Sequence, residues 1–379
     1  MEHYDVLIVG GGPAGSTCAK RLQAAGLDVL VLDKKHFPRD KVCAGWVTPA
    51  VIDALGFDCE DYRRGRVLQP FYGFRTGTIG GAQVTTDYDQ VVSYGIRRCE
   101  FDHYLLERCG ARLELGQPIK QIECANGRWQ INARFSAPLL IGAGGHFCPV
   151  ARALGTRLGS DEHVISAQEV EFEMTPAQAE RCAVDAHRPE LFFCNDLKGY
   201  GWAVRKQNVL NVGLGREDNH RLGQHVAAFR QFLIDSGRIP SDTPEKFHGH
   251  AYLLSRQKQP RPLATHHALL IGDACGLAYA QSGEGIRPAI ESALLAADII
   301  VGADGDYRRE RLKEYEDKIV ARFGQRQAGG DTLGWLPDGL RHLAARKLLG
   351  SAWFSRHVLI ERWFLHTHQA ALPAQLKIA

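Results

Sequence analysis

The opening of the chain constrains its fold more than any other stretch. Tyr4-Asp5-Val6-Leu7-Ile8-Val9 is a short run rich in β-branched residues, and Gly10-Gly11-Gly12-Pro13-Ala14-Gly15 follows it directly. An apolar run of that length reads as a strand buried on both faces. From about Pro13 to Ala25 the residues suit a helix, and Gly26 is a natural stop for it. A second apolar strand, Val29-Leu30-Val31-Leu32, ends at Asp33. The spacing predicts a β-loop-α-turn-β unit with parallel strands. In that setting Gly10 permits the tight turn, Gly12 lets the backbone approach a pyrophosphate, and Gly15 lets the helix pack on the strand. Pro13 and Ala14 begin the helix, whose N-terminal N–H groups and dipole favour an anion. Asp33, with Lys34 beside it, stands where an acid accepts hydrogen bonds from a ribose hydroxyl. A dinucleotide site is expected, and this fingerprint alone leaves FAD and NAD both open.

Composition removes several alternatives. A chain of 379 residues has room for two domains, and 45% hydrophobic with 23% charged residues is ordinary for a globular protein. A formal net charge of +3 is too weak to argue for nucleic acid. No run approaches the roughly 18 apolar residues of a spanning helix, and the start lacks the features of a signal peptide. The ten cysteines are scattered, with no CxxC pair, which argues against a disulfide framework or a cysteine zinc site. The sixteen histidines form no set with carboxylates at ligand spacing, so no metal is expected. No GxSxG elbow marks a nucleophile. A cytoplasmic location is the default expectation.

Further along, residues 101–110 look helical, and strands are expected around 117–123, 128–133 and 138–142, the last running into Gly142-Ala143-Gly144-Gly145. Between about 165 and 215 apolar and polar residues alternate as in antiparallel strands. Residues 221–236 read as an amphipathic helix, Ala268–Ile271 as a buried strand, Pro288–Ile300 as a helix, and everything beyond 305 as helical. The expected fold class is α/β (α+β overall). A discontinuous Rossmann-type nucleotide-binding domain (1–70, 98–163 and 245–303) would enclose an inserted antiparallel β substrate domain (71–97 and 164–244), followed by a C-terminal helical segment (304–379).

A second set of motifs narrows the reading. Ile271-Gly272-Asp273-Ala274-Cys275-Gly276, followed by Ser282-Gly283-Glu284-Gly285-Ile286, resembles the second FAD motif of a flavoprotein superfamily that includes aromatic hydroxylases, flavin-dependent halogenases and geranylgeranyl reductases. The resemblance implies that Asp273, after Gly272, binds the ribityl chain. It also implies that Gly283, Gly285 and Ile286 begin a helix aimed at the flavin pyrimidine, where a helix N-terminus stabilises developing negative charge. Phe37-Pro38-Arg39-Asp40-Lys41-Val42-Cys43-Ala44-Gly45 is similar to the FPRxKxCGG loop of the geranylgeranyl reductases. Arg98-Cys99-Glu100-Phe101-Asp102 is similar to their RxxFD, whose arginine reaches the cofactor. Gly199-Tyr200-Gly201-Trp202-Ala203-Val204 resembles their YxWxFP strand. Arg39, Cys43, Ala44, Gly45, Arg98, Ile119 and Gly144 are accordingly expected at the cofactor. The chain departs from the pattern at Ala44, at Val204-Arg205 in place of Phe-Pro, at Ala280 in place of a proline, and at Gly142-Ala143-Gly144-Gly145, where the hydroxylases' GADG has an aspartate.

Three side chains are singled out for chemistry. The Cys43 loop lies near the isoalloxazine in the resembling family, so its thiol is a candidate for contact with substrate. Tyr200 and Trp202 alternate with glycines and share one strand face, as pocket walls or as ordinary sheet packing. Residues 334–366 carry five basic residues against Asp338 and Glu361, together with Trp335, Trp353 and Trp363. That stretch fits a packed helical cap, a peripheral membrane contact, or both. The resemblance implies an FAD-dependent reductase acting on an isoprenoid or other apolar small molecule, with NAD(P)H or a ferredoxin as electron donor. A flavin monooxygenase, a non-catalytic electron-transfer flavoprotein and an NAD-only dehydrogenase remain alternatives.

Overall fold

The computed structural model describes residues 1–156, 164–218, 220–255, 261–324 and 338–373. At its centre is a six-stranded sheet with the order Ala264–Thr265, Ala268–Leu270, Leu139–Gly142, Val6–Val9, Val29–Asp33, Arg112–Leu115. Apart from Ala264–Thr265, every strand in it is parallel to its neighbours. Val6, Leu7 and Ile8 are fully buried, as the apolar run requires. Helix Pro13–Ala24 packs against helix Ile286–Gly302, the two covering the sheet's glycine-rich end. Chain order reverses between Val6–Val9 and Leu139–Gly142, which opens a crevice at their carboxyl ends.

A seven-stranded sheet forms the second layer, in the order His248–Leu253, Val164–Glu173, Val209–Arg216, Gly199–Lys206, Glu190–Phe193, Gly73–Thr78, Gln83–Asp87. It is antiparallel except where Glu190–Phe193 runs parallel to Gly73–Thr78. Helix Leu222–Asp235 covers one face, with Phe229 seated over Gly201. The opposite face carries Trp202, Val204 and Leu191, which pack with Leu349, Leu359, Ile360 and Phe364 of the C-terminal segment. Smaller sheets join Trp46–Val47, Ser93–Ile96 and Leu68–Phe71, and Glu2–His3 with three strands between Ile122 and Ala137.

Strand pairing crosses two of the expected domain limits. His248–Leu253 pairs with Val164–Glu173, although 245–303 was expected with the nucleotide-binding part. Ser93–Ile96 pairs with Trp46–Val47 and Leu68–Phe71, not with the large sheet. The strand expected at 117–123 is also displaced, to Arg112–Leu115 and Ile122–Ala125. Pro118 has no N–H to give a ladder, and the N–H groups of Lys120 and Gln121 donate instead to Asn132 Oδ1 at 2.8 and 3.1 Å. Among the described residues, no helix is long and apolar enough to cross a membrane.

Candidate functional site

The first motif folds as a compact cradle. Gly10 has φ +117°, and a Cβ there would lie 2.3 Å from the Ala143 carbonyl oxygen, so the two crevice loops meet backbone to backbone. A Cβ on Gly15 would lie 1.8 Å from the Gly10 carbonyl oxygen. Gly12 caps the helix that Pro13 and Ala14 begin, and a Cβ there would meet only Arg39 Nη2, at 3.5 Å. Asp33 Oδ2 accepts the Gly11 N–H at 2.8 Å and Oδ1 accepts that of Lys35 at 2.9 Å. The acid therefore holds the loop at the strand end, and Lys34 beside it is exposed.

Arg39 reaches this cradle from the loop that follows. Its guanidinium stacks 4.6 Å from the Phe37 ring centre and pairs with Asp102 at 3.2 Å. Asp102 is already held by Arg98 through bonds of 2.8 and 2.9 Å. Arg39 Nη1 is buried with no hydrogen-bond partner among the described residues. A buried cationic donor without an acceptor, beside a helix N-terminus lined by glycine, fits a pyrophosphate.

The second motif closes the site from the other side. Gly272, with φ +60°, sits where Ala14 and Ala289 approach, and its N–H donates to Ser292 Oγ at 2.9 Å. Asp273 lies in a short 3-10 turn, and a Cβ on Gly285 would stand 3.0 Å from its Oδ1. Gly285 caps helix Ile286–Gly302, in which Pro288 is the third residue. Gly283 has φ +70°, and a Cβ there would fall 2.4 Å from the Tyr252 hydroxyl. The same space holds Lys41, hydrogen-bonded to His250 Nε2. Burial lowers Lys41 to about 8 against the pull of Asp273. Burial and then the Lys41 charge lower His250 to about 2. His248 lies two residues before His250 on the same strand. The structure leaves His248 exposed and turns His250 to Lys41.

An aromatic cavity lies between the large sheet and this loop. It is lined by Ile165, Phe193, Tyr200, Trp202, Tyr252, Ser282 and Gly283 among others. Tyr200 and Trp202 share its sheet wall, and both polar hydrogens are committed. The Tyr200 hydroxyl donates to the Ser282 carbonyl, and the Trp202 indole N–H donates to Asn211 Oδ1 at 2.6 Å. Burial raises the Tyr200 hydroxyl well above its ordinary range. Cys43 is partly buried, with its Sγ accepting the Gly45 N–H at 3.4 Å and the Arg98 guanidinium beside it. Ala44 packs against the aromatic cluster, and Gly45 has φ +69°. Arg205 faces away from the cavity and donates to the carbonyls of Ala179, Cys182 and Gln207.

Two expected positions stand apart. Ile119 is a partly buried residue on the rim of the parallel-sheet core, in the link after Arg112–Leu115. Gly144 lies at the crevice but faces Cys148 and Pro149. Glu169, Lys206 and Asn211, buried under the Cys43 loop, were missed. Their signal was faint: Glu169 and Glu171 fall two apart in a strand whose apolar residues also alternate. In the C-terminal stretch Trp363 is packed, Trp353 is 66% exposed, and Trp335 lies outside the described residues.

Comparison with known proteins agrees with this geometry. Residues 8–48 match the NAD(P)-binding Rossmann-like domain family. The chain is 26% identical over 328 residues to the digeranylgeranylglycerophospholipid reductase of Methanocaldococcus jannaschii, covering 83% of this chain and 81% of that one. It is 29% identical over 329 residues to the menaquinone reductase of Mycobacterium tuberculosis, covering 80% and 78%. Among solved structures, a geranylgeranyl bacteriochlorophyll reductase-like protein from Thermoplasma acidophilum superposes with a TM-score of 0.74 at 21% identity, covering all of this chain and 94% of the other. The chain is thus similar in sequence to these two reductases and shares the fold of the geranylgeranyl bacteriochlorophyll reductase-like protein.

Proposed function

We propose that this protein is an FAD-dependent reductase that acts on a double bond of an isoprenoid or other apolar small molecule. The observation that carries the reading is the aromatic cavity, which opens at Ser282–Gly283, next to the loop that caps helix Ile286–Gly302. FAD, when bound, supplies the hydride. In this reading the N-terminus of helix Pro13–Ala24 and the free Nη1 of Arg39 hold the pyrophosphate, and Asp273 takes the ribityl chain. The N-terminus of helix Ile286–Gly302 offsets negative charge at the pyrimidine end. Tyr200, Trp202, Tyr252 and Phe193 exclude water from the acceptor and hold it against that end of the site. The electron donor is a nicotinamide nucleotide or a ferredoxin-type protein.

Peripheral contact with a membrane belongs to the same proposal. Leu348 and Trp353 are exposed by 45% and 66%; Arg346 and Lys347 precede Leu348 in the last turn of helix Asp338–Leu349, and Trp353 lies in the short helix Ala352–Phe354. An apolar acceptor drawn from a bilayer would enter by such a face.

The test is the visible spectrum of the purified protein during anaerobic titration with NADH, NADPH and dithionite. A yellow protein bleached by one of the nicotinamides is expected, or bleached by dithionite alone if the donor is a protein. A colourless protein that FAD does not reconstitute would overturn the proposal.

A further inference from the structure

The face of the large sheet turned toward residues 43–45 carries buried polar side chains that neither the phosphate cradle nor the acceptor cavity uses. Asn211 is fully buried, and the indole N–H donated to its Oδ1 fixes which way its amide points. Its Nδ2 then lies 3.1 Å from the Cys43 carbonyl oxygen, 3.2 Å from Glu169 Oε2 and 3.2 Å from Glu171 Oε1. The Cys43 backbone N–H faces the Glu169 carboxyl closely enough to oppose the effect of burial on it. The Cys43 peptide therefore lies against two sheet side chains, Asn211 bonded to its carbonyl and Glu169 facing its N–H. Backbone groups at such a depth need partners, and here a loop takes them from a neighbouring sheet. Lys206, wholly buried, extends the line by donating to Glu171 at 2.7 Å and to the Ile96 carbonyl at 2.8 Å. A Cβ on Gly45 would collide with its Nζ at 2.4 Å, so the loop lies flush on this surface.

We propose that Glu169 and Asn211 are positioning residues that fix the Cys43 peptide, and with it the thiol, beside Arg98 at the edge of the cofactor site. The inference rests on the reductase reading only for what the thiol faces. Burial pushes the Glu169 carboxyl up to about 8, so it keeps its proton at neutral pH. The groups around it are Glu171 on its own strand, Asn211 on the adjacent strand, Lys206 on the strand beyond, and the Cys43 loop above. Arg97 pairs with Glu171 from the start of helix Arg98–Glu107, and His248 lies opposite in strand register. Ionisation of Glu169 puts a second carboxylate beside Glu171, with one amide shared between them. An isosteric neutral amide escapes that change.

The test is the rate at which iodoacetamide labels Cys43 in the full-length protein as purified, read by peptide mass mapping because there are ten cysteines. Asn211→Leu removes the shared amide and should raise the labelling rate at least about fivefold, the equivalent of one ordinary hydrogen bond. It should stay folded and keep its bound flavin, with a lowered Tm because the Trp202 indole N–H and Glu171 lose a buried partner. Glu169→Gln should label like the native protein at neutral pH and diverge from it progressively above about pH 8, where only the native carboxyl ionises. Labelling of folded Asn211→Leu at the native rate, or Glu169→Gln tracking the native protein throughout the alkaline range, would overturn the proposal. If Asn211→Leu does not fold, the Glu169→Gln series decides alone. A colourless native protein would defeat the flavin reading and leave this comparison intact.

Discussion

Replacing Arg39 by methionine separates cofactor binding from folding. Methionine keeps an unbranched apolar stem against Phe37 and removes the charge. In the folded chain the guanidinium makes one ion pair, 3.2 Å to Asp102, and leaves Nη1 buried without an acceptor. Asp102 keeps both bonds to Arg98 after the change. The loss of the Asp102 contact and the relief of an unsatisfied buried donor oppose each other, so the flavin-free protein should unfold within a few degrees of native. Binding is different. A hydrogen bond from a charged donor contributes about 1.5–3 kcal/mol, and each 1.4 kcal/mol is a factor of about ten in affinity. FAD should therefore bind about ten- to a hundred-and-fifty-fold more weakly. Flavin fluorescence quenching gives the Kd, and calorimetry of the flavin-free protein gives Tm. An unchanged Kd would refute the assignment of Arg39 to the pyrophosphate. A Tm that collapses with the affinity would show that the residue acts through the fold.

Other perturbations reach different parts of the molecule. Gly15→Ala forces a methyl to 1.8 Å from the Gly10 oxygen, so helix Pro13–Ala24 must move off the sheet; a loss of about 1–3 kcal/mol in urea unfolding is expected. Tyr200→Phe leaves the Ser282 carbonyl without its donor. If Tyr200 positions the loop, turnover falls no more than about tenfold, whereas loss of a general acid costs about a hundred-fold or more. Lys206→Met takes the buried cation from Glu171, which keeps Arg97 and Asn211, a loss of about 1–3 kcal/mol. Glu171 is held below its ordinary value by Lys206 against the opposing effect of burial. The native protein therefore loses that stability as pH falls from the ordinary glutamate range through the lowered value. Lys206→Met should lack this acid-sensitive component, and unfolding followed across acidic pH checks it. Trp353→Ala should weaken co-sedimentation with anionic vesicles and leave flavin content unchanged; equal sedimentation would remove the membrane proposal.

Parts of the site could be read locally because local chemistry forces them. A strand of Val, Leu and Ile followed by Gly10, Gly12 and Gly15 has few folds open to it, and backbone at Gly10 and Gly283 adopts positive φ where glycine stands. The roles proposed for Arg39, Asp273 and Cys43 rest on the resemblance of short loops, and all three lie near the Lys41 ammonium. Pairing across the large sheet was another matter. His248–Leu253 looks like part of the nucleotide-binding stretch in sequence order, yet its partner is Val164–Glu173, some eighty residues earlier. Periodicity specifies which side of a strand is apolar and says nothing of which strand lies beside it.

The sequence by itself determined the βαβ unit, the second glycine motif and the aromatic strand face at Tyr200 and Trp202, because each depends on residues a few positions apart. Only the tertiary structure decided that the C-terminal segment closes that face with Leu359, Ile360 and Phe364. It alone brought Glu169, Asn211 and Lys206 under the Cys43 loop. A buried charged or amide side chain looks like a surface residue in sequence. Its burial becomes tolerable only when partners from distant strands satisfy it, and that condition exists only in the folded chain.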